Sequence, residues 1–170
     1  AALAVAGTVF DETAWIDEGL SVLDRVGNTQ FLADGCHFER SPMYHILVLT
    51  RYLTVCDLLE QSGRAVPESI RQTTTAATAF LDYLRPADGR IPLLNDSVYG
   101  QALPLEDCLR YADTLGCRDR ATERRTRPAD EQSPAETSGY QWLRTEDGDV
   151  LFDGGAVGPP HLPGHSHSDT

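Results

Sequence analysis

One helix that is apolar on nearly every side constrains the fold of this chain most. Between Ser41 and Gly63, apolar side chains cover most of a helical circumference: Met43, Ile46, Leu47, Val48, Leu49, Leu53, Val55, Leu58 and Leu59. A helix that is apolar all round is buried on all sides. Ser41 and Pro42 predict its first turn, because serine is a favoured N-cap and proline suits the first helical position. The rest of the chain must therefore surround this helix.

The segments on either side of this helix are predicted to form further helices that could surround it. The spacing of apolar residues predicts a helix end at 1–6 that Gly7 stops, and a second helix over 11–31. An amphipathic helix is predicted over 67–84 and a shorter one over 105–115. Pairs of one buried and one amphipathic helix indicate an array of α-hairpins. An α/α toroid or a solenoid would fit, although the chain has no fixed-period repeat of the kind a regular solenoid shows.

The composition changes after the last predicted helix. Residues 118–138 are charged, contain proline and have almost no large apolar side chains, so we interpret them as a linker between domains. Beyond it, two apolar runs flank Asp147-Gly148, a pattern typical of a β-hairpin. Helices first and strands later predict two segregated layers or domains.

Charge and cysteine usage exclude several classes of function. The formal net charge is -12, and all 14 basic residues are arginine. Such a surface repels phosphate backbones, so we expect no nucleic-acid partner. No apolar run approaches the roughly 20 residues that cross a bilayer, so we expect no membrane span. The four cysteines show no CxxC spacing and are interpreted as buried free thiols, not as a disulfide framework or a metal site.

Residues 164–169, GHSHSD, form the strongest local signal for chemistry. If the backbone is extended, His165, His167 and Asp169 point to one side, because side chains alternate along an extended chain. Imidazoles with a carboxylate suit Zn²⁺ or a similar cation. A solvent-exposed, histidine-rich loop is the alternative interpretation.

Tyr44 is a second candidate, at the third position of the buried helix. Unpaired N–H groups and the positive end of the helix dipole favour a phenolate there, which predicts a tyrosine able to transfer protons near neutral pH. A core tyrosine with its hydroxyl bonded to a neighbour is the alternative. His45 alone is more typical of a structural residue, and Asn95, Asp96 and Ser97 are typical of a loop built by side chain to backbone bonds.

Three segments, in this order, resemble the heparinase II/III-like family of polysaccharide lyases. They are residues 34–45 (DGCHFERSPMYH), 88–97 (DGRIPLLNDS) and 164–169 (GHSHSD). The first match is the most specific, and together they span most of the chain. The resemblance implies that the chain is an interior piece: the C-terminal part of an α/α toroid at 1–117, the linker, and the first strands of an antiparallel β-sandwich at 139–170.

The resemblance also implies a function, which is β-elimination on a uronic-acid-containing, anionic polysaccharide. Tyr44 would transfer a proton, and His165 would be a second acid/base or bind the substrate carboxylate. His167 would bind a structural Zn²⁺ whose other ligands lie outside this chain, and no organic cofactor is implied. The family's carboxylate-neutralising Asn–His pair would precede Ala1, so the piece alone is expected to have little or no activity. The family favours a periplasmic or secreted location, and the oligomeric state stays open.

Two other functions remain open at this point. The HxHxD pattern is shared with metal-dependent hydrolases of the metallo-β-lactamase type, although there it follows early β-strands and a further histidine would be expected where Thr170 stands. A toroid that binds carbohydrate without cleaving it is the second, because a fold does not determine a function.

Overall fold

The computed structural model describes residues 1–118 and 137–156. In these ranges the chain is mainly helical and ends in two antiparallel strands, which confirms the predicted fold class. The elements are α1 (Ala2–Phe10), α2 (Thr13–Gln30), α3 (Pro42–Gln61), α4 (Glu68–Tyr83), α5 (Leu105–Thr114), β1 (Tyr140–Thr145) and β2 (Gly148–Asp153).

Helix α3 lies at the centre of the helical part, as its apolar circumference predicts. It packs against α1, α4 and α5. Ile46, Leu49 and Leu53 are completely buried. Complete burial of a large aliphatic side chain stabilises a fold by about 1.5–3 kcal/mol. This helix therefore joins the two main apolar clusters of the described chain, one with α4 and α5 and the other with α1 and α2.

Helix α1 differs from the prediction, because Gly7 does not end it. The helix continues to Phe10 and ends at Asp11, whose φ of 57° is left-handed. A Cβ on Gly7 would lie 2.7 Å from the backbone nitrogen of Ile16. Gly7 is therefore a point of close approach between α1 and α2, and its lack of a side chain serves packing.

The β-hairpin lies directly on the helical part. Tyr140 at the start of β1 is completely buried against Cys36, Phe80 and Leu84. The indole N–H of Trp142 donates to the Tyr83 carbonyl over 2.8 Å. The two strands are joined at Glu146 and Asp147, so the predicted hairpin around Asp147-Gly148 is confirmed.

The predicted linker is described only at its two ends. Arg118 is partly buried between Asp82 and Asp113, with nitrogen–oxygen distances of 3.0 and 3.1 Å. Thr137 and Ser138 are buried beside the helices. Residues 119–136 lie outside the described ranges, so the domain boundaries stay a prediction.

Two further expectations concern membranes and thiols. None of the five helices named above is long and apolar enough to cross a membrane. All four cysteines are buried as free thiols, as predicted.

Candidate functional site

The N-terminus of α3 is capped from two directions, and this positions Tyr44. The Ser41 hydroxyl accepts a bond from the Tyr44 backbone N–H at 3.4 Å, as an N-cap residue does. The Ser97 hydroxyl, from the loop before α5, accepts from the Met43 N–H at 3.1 Å and lies 3.1 Å from the Ser41 hydroxyl. Two of the segments that carry the family resemblance therefore meet at the first turn of α3.

The Tyr44 hydroxyl donates to Oδ2 of Asp96 over 3.3 Å. The pKa of Tyr44 is raised above its usual value, first by burial, then by the Asp96 carboxylate and more weakly by Glu39. The sequence predicted a phenolate favoured by the helix terminus, and that expectation is wrong. The capping hydroxyls already occupy N–H groups of the first turn, whereas the phenol lies against a carboxylate. Tyr44 therefore keeps its proton at neutral pH.

Asn95, in the loop before α5, links that loop to the loop before α3 and to the start of β1. Its backbone is left-handed, with φ of 53°, which asparagine tolerates better than most residues. Its amide donates to the Arg40 carbonyl over 2.8 Å and to the Tyr140 hydroxyl over 3.0 Å. The Tyr140 hydroxyl in turn donates to the same Arg40 carbonyl. This arrangement confirms for Asn95 the predicted use of side-chain amides to build the loop.

Asp34 makes a second connection between the segments. Its Oδ2 accepts from the backbone N–H of Ser138 over 2.8 Å and from the Ser138 hydroxyl over 2.7 Å. Close by, the Arg40 guanidinium donates to the Thr137 carbonyl over 3.4 Å. The chain before α3 and the chain before β1 are thus fixed to each other by polar side chains.

His45 has a structural role, as predicted for a lone histidine at this position. Its Nδ1 accepts from the His37 backbone N–H over 3.1 Å, so Nε2 carries the proton and donates to the Ala77 carbonyl over 2.9 Å. Complete burial lowers its pKa to about 4. Both ring nitrogens are therefore engaged in holding the loop before α3 against α4, and the ring is neutral at pH 7.

His165 and His167 lie outside the described residues, so their proposed roles stay predictions. Within 1–118 and 137–156, no group of three or more His, Cys, Asp and Glu side chains is arranged to hold a metal ion. The zinc prediction therefore depends on His167 and on ligands beyond the described part.

A groove of about 810 Å³, separate from Tyr44, lies between the loop before α5 and the β-hairpin. Its lining contains four carboxylates, Asp88, Glu146, Asp147 and Asp149, beside the aromatic rings of Tyr99 and Trp142. Tyr44 is not part of it. Like charges repel, so this groove does not suit an anionic polymer.

Residues 1–115 match the family described as Heparinase II/III N-terminus, and residues 127–170 match the one described as Heparinase II/III-like, C-terminal. The first match covers more than half of the sequence, so the chain belongs to the heparinase II/III-like family, which confirms the resemblance.

One curated relative is the heparin-sulfate lyase of Bacteroides thetaiotaomicron, 25% identical over 170 aligned positions. The alignment covers 84% of this chain and 24% of that protein. The chain thus spans about a quarter of the length of the curated relative it matches. No solved structure matches.

Sequence reasoning missed the partner of Tyr44. Asp96 was interpreted only as part of a loop, although it lies in the segment 88–97 that carries the resemblance. The sequence did contain an indication of this contact, because the acidic residue of segment 88–97 could bind the Tyr44 hydroxyl of segment 34–45. The separation of 52 residues between Tyr44 and Asp96 hides this contact from any local pattern.

Proposed function

We propose that the chain contributes Tyr44 to the active site of a polysaccharide lyase that cleaves a uronic-acid-containing polysaccharide by β-elimination. The observation that carries the proposal is the Tyr44–Asp96 pair, at the point where two family segments meet beside the start of β1. Family membership and the heparin-sulfate lyase relative support the same class of reaction.

The chemistry requires two proton transfers. A base removes the proton from the carbon next to the uronate carboxylate, the bond to the glycosidic oxygen breaks, and that oxygen leaves with a proton. Tyr44 keeps its proton because its pKa is raised, so we assign it the donation to the leaving oxygen. His165 remains the proposed second acid/base or carboxylate-binding residue.

The substrate carboxylate must also be neutralised, since the carbanion-like intermediate is otherwise too costly. Asp96 and Glu39, the acidic neighbours of Tyr44, carry the wrong charge for this task. The neutralising groups are therefore expected elsewhere, with His165 as the candidate within this sequence.

The test is an assay that distinguishes elimination from hydrolysis. The full-length protein is offered heparan sulfate, hyaluronan, chondroitin and alginate, and ultraviolet absorbance of the unsaturated uronate is followed. Absorbance that grows with time supports the proposal. New reducing ends without that absorbance would indicate a hydrolase, and binding without either signal would indicate a non-catalytic carbohydrate-binding protein.

The 170-residue chain alone is expected to give no measurable turnover in the same assay. The reason is that the Asn–His pair that the family resemblance implies for neutralising the carboxylate would lie outside this chain, and His165 alone is not expected to replace it. The control is the full-length protein at the same molar concentration. Turnover by the isolated chain at a comparable rate would show that Tyr44 and the residues of this chain suffice.

Replacing Asp96 with asparagine is expected to shift the pH dependence of lyase activity. The Asp96 carboxylate raises the pKa of Tyr44, so removing its charge lowers that pKa. A general acid loses activity as the pH rises through its pKa, and the alkaline loss of activity in Asp96→Asn should therefore begin at a lower pH. The measurement is kcat/KM against pH for both proteins.

Glu39→Gln is the matched control for this shift. Glu39 raises the pKa of Tyr44 in the same direction but contributes less than Asp96. Its pH profile should move the same way by a smaller amount. An alkaline limb that is identical in all three proteins would show that Tyr44 does not set it.

A further inference from the structure

The loop before α3 (residues 31–41) determines where the first turn of α3 and the start of the hairpin lie. Its last residue, Ser41, caps the backbone N–H of Tyr44. Near its middle, Asp34 accepts two hydrogen bonds from Ser138, just before β1. Whatever fixes this loop on the helices therefore also fixes Tyr44 and the hairpin.

The loop contacts α4 at Gly35 and through the His45 ring. Gly35 lies so close to α4 that a Cβ would fall 2.4 Å from the Ala76 carbonyl oxygen. His45 Nδ1 accepts from the His37 backbone N–H over 3.1 Å, and its Nε2 donates to the Ala77 carbonyl over 2.9 Å. One imidazole thus joins the loop to α4 through two hydrogen bonds.

This connection requires a neutral ring. A neutral imidazole has one donor and one acceptor nitrogen, whereas a protonated one has two donors. A proton on Nδ1 would point at the His37 N–H, so the hydrogen bond would be replaced by a contact between two donors. The ring is also completely buried against Phe31 and Phe80, with ring centroids 6.2 and 5.1 Å away, and these hydrocarbon rings do not replace the water that a charge would lose.

Within the described residues, the charged and titratable groups that act on this ring are Asp34 and His37, both in the loop. Burial lowers the pKa of His45 to about 4, and the bond to Ala77 and the Asp34 carboxylate oppose this more weakly. His37 is buried and its Nδ1 has no hydrogen-bond partner in the described part of the chain. Burial, followed by the charge of His45, lowers the pKa of His37 to about 3. From α4 the ring meets the Ala77 carbonyl and Phe80, neither of which titrates.

We propose that His45 is a positioning residue for Tyr44 that acts only while its ring is neutral. The neutral ring holds the loop before α3 on α4, and a proton on Nδ1 releases the loop together with the start of the hairpin. This inference concerns how the site is held and does not depend on the reaction proposed for it.

The direction of the pH effect follows from the two states of the ring. The pKa of His45 is about 4 while the loop is closed and returns towards its ordinary value of 6.5 when the loop opens. Opening therefore takes up a proton between these two pH values. The closed loop is fully stabilised above this range, and the open fraction rises as the pH falls through it.

The experiment is hydrogen–deuterium exchange of the full-length protein at pH 7 and pH 5, read by mass spectrometry of peptic peptides. Exchange rates are divided by those of an unstructured chain at the same pH, which leaves the equilibrium for local opening. Both pH values lie above the ordinary pKa of carboxyl groups, so histidines dominate the difference. The loop amides that are hydrogen-bonded in the closed state should open at least about 10-fold more at pH 5 than at pH 7. They belong to Leu32, Gly35, Phe38 and Arg40.

Two other regions serve as internal comparisons. The amides of Tyr44 and of β1 should follow the loop, because Ser41 and Asp34 connect them to it. The amides in the centre of α3, residues 46–59, should open to the same extent at both pH values.

His45→Asn and His45→Gln form a matched pair of variants. Asparagine places its oxygen near the position of Nδ1, so it can still accept from the His37 N–H but does not titrate. The ratio of loop opening between pH 5 and pH 7 should be at least about 10-fold smaller in His45→Asn than in the wild type, and His37 accounts for what remains. Glutamine places its amide near the position of Nε2 and leaves the His37 N–H without its acceptor, so at pH 7 the loop should open more than in His45→Asn.

Three results would overturn the proposal. They are a wild-type ratio near one, the same ratio in His45→Asn as in the wild type, and an equal rise in the centre of α3, which would indicate general unfolding by acid. The wild-type ratio needs no variant, so the proposal can fail even if His45→Asn does not fold.

Discussion

Under the proposed lyase function, replacing Tyr44 with phenylalanine is expected to lower kcat of the full-length protein about 10²- to 10⁴-fold, the usual contribution of a general acid or base. The substitution removes the hydroxyl that bonds to Asp96 but keeps the ring, which packs against the cluster around α3. KM should change little, because the ring stays in place. The measurement is the initial rate of unsaturated uronate formation at saturating substrate.

Tyr111→Phe is the matched control for this loss. The Tyr111 hydroxyl donates to Oδ2 of Asp57 over 2.8 Å, so this variant removes a tyrosine–aspartate bond of the same kind on α5. Its kcat should stay within about twofold of the wild type, since the proposed proton donor, Tyr44, is unchanged. Equal losses in both variants would mean that a tyrosine–aspartate bond matters for folding and not for proton transfer.

Replacing Gly35 with alanine is expected to lower the free energy of unfolding by about 3 kcal/mol. Gly35 has φ of 85°, a conformation that side chains with a Cβ rarely adopt. A Cβ there would lie 2.4 Å from the Ala76 carbonyl oxygen, a backbone atom that cannot move alone. The loop before α3 would have to shift away from α4. The measurement is denaturant unfolding, with the slope compared between variants.

Gly63→Ala separates the two causes of that loss. Gly63 has a similar φ of 72°, but nothing lies within 4 Å of its Cβ position. It should therefore show only the cost of the left-handed backbone, about 1 kcal/mol. If Gly35→Ala costs no more than Gly63→Ala, the loop before α3 is not held tightly against α4.

The elements that were predicted correctly are those determined by neighbouring residues. The start of α3 at Ser41-Pro42 and the hairpin at Asp147-Gly148 follow from capping and turn preferences over a few positions. The central position of α3 could be predicted in the same way, because a helix with apolar residues on nearly every side is buried by its neighbours. Local physics therefore predicted the helical and β elements and which helix is buried.

The errors arise where distant residues meet. Gly7 resembles a helix stop, but its position is set by contact with Ile16 in the next helix. Tyr44 resembles a residue stabilised as a phenolate by a helix terminus, but Asp96 opposes that effect from 52 positions away. Short patterns contain neither contact, so the direction of the pKa shift could not be predicted from the sequence.

The contacts around Arg40 and Asp34 determine which parts of the molecule can move. The Arg40 carbonyl accepts from Asn95 and Tyr140, and Asp34 accepts twice from Ser138, so the first turn of α3 and the start of the hairpin form one rigid unit. In the proposed lyase a long polymer would have to enter and leave a cleft, and we expect the contacts between these two parts beside Tyr44 to persist while it does so. Any opening would then take place at another boundary of the molecule, and Tyr44, the proposed proton donor, would keep its position.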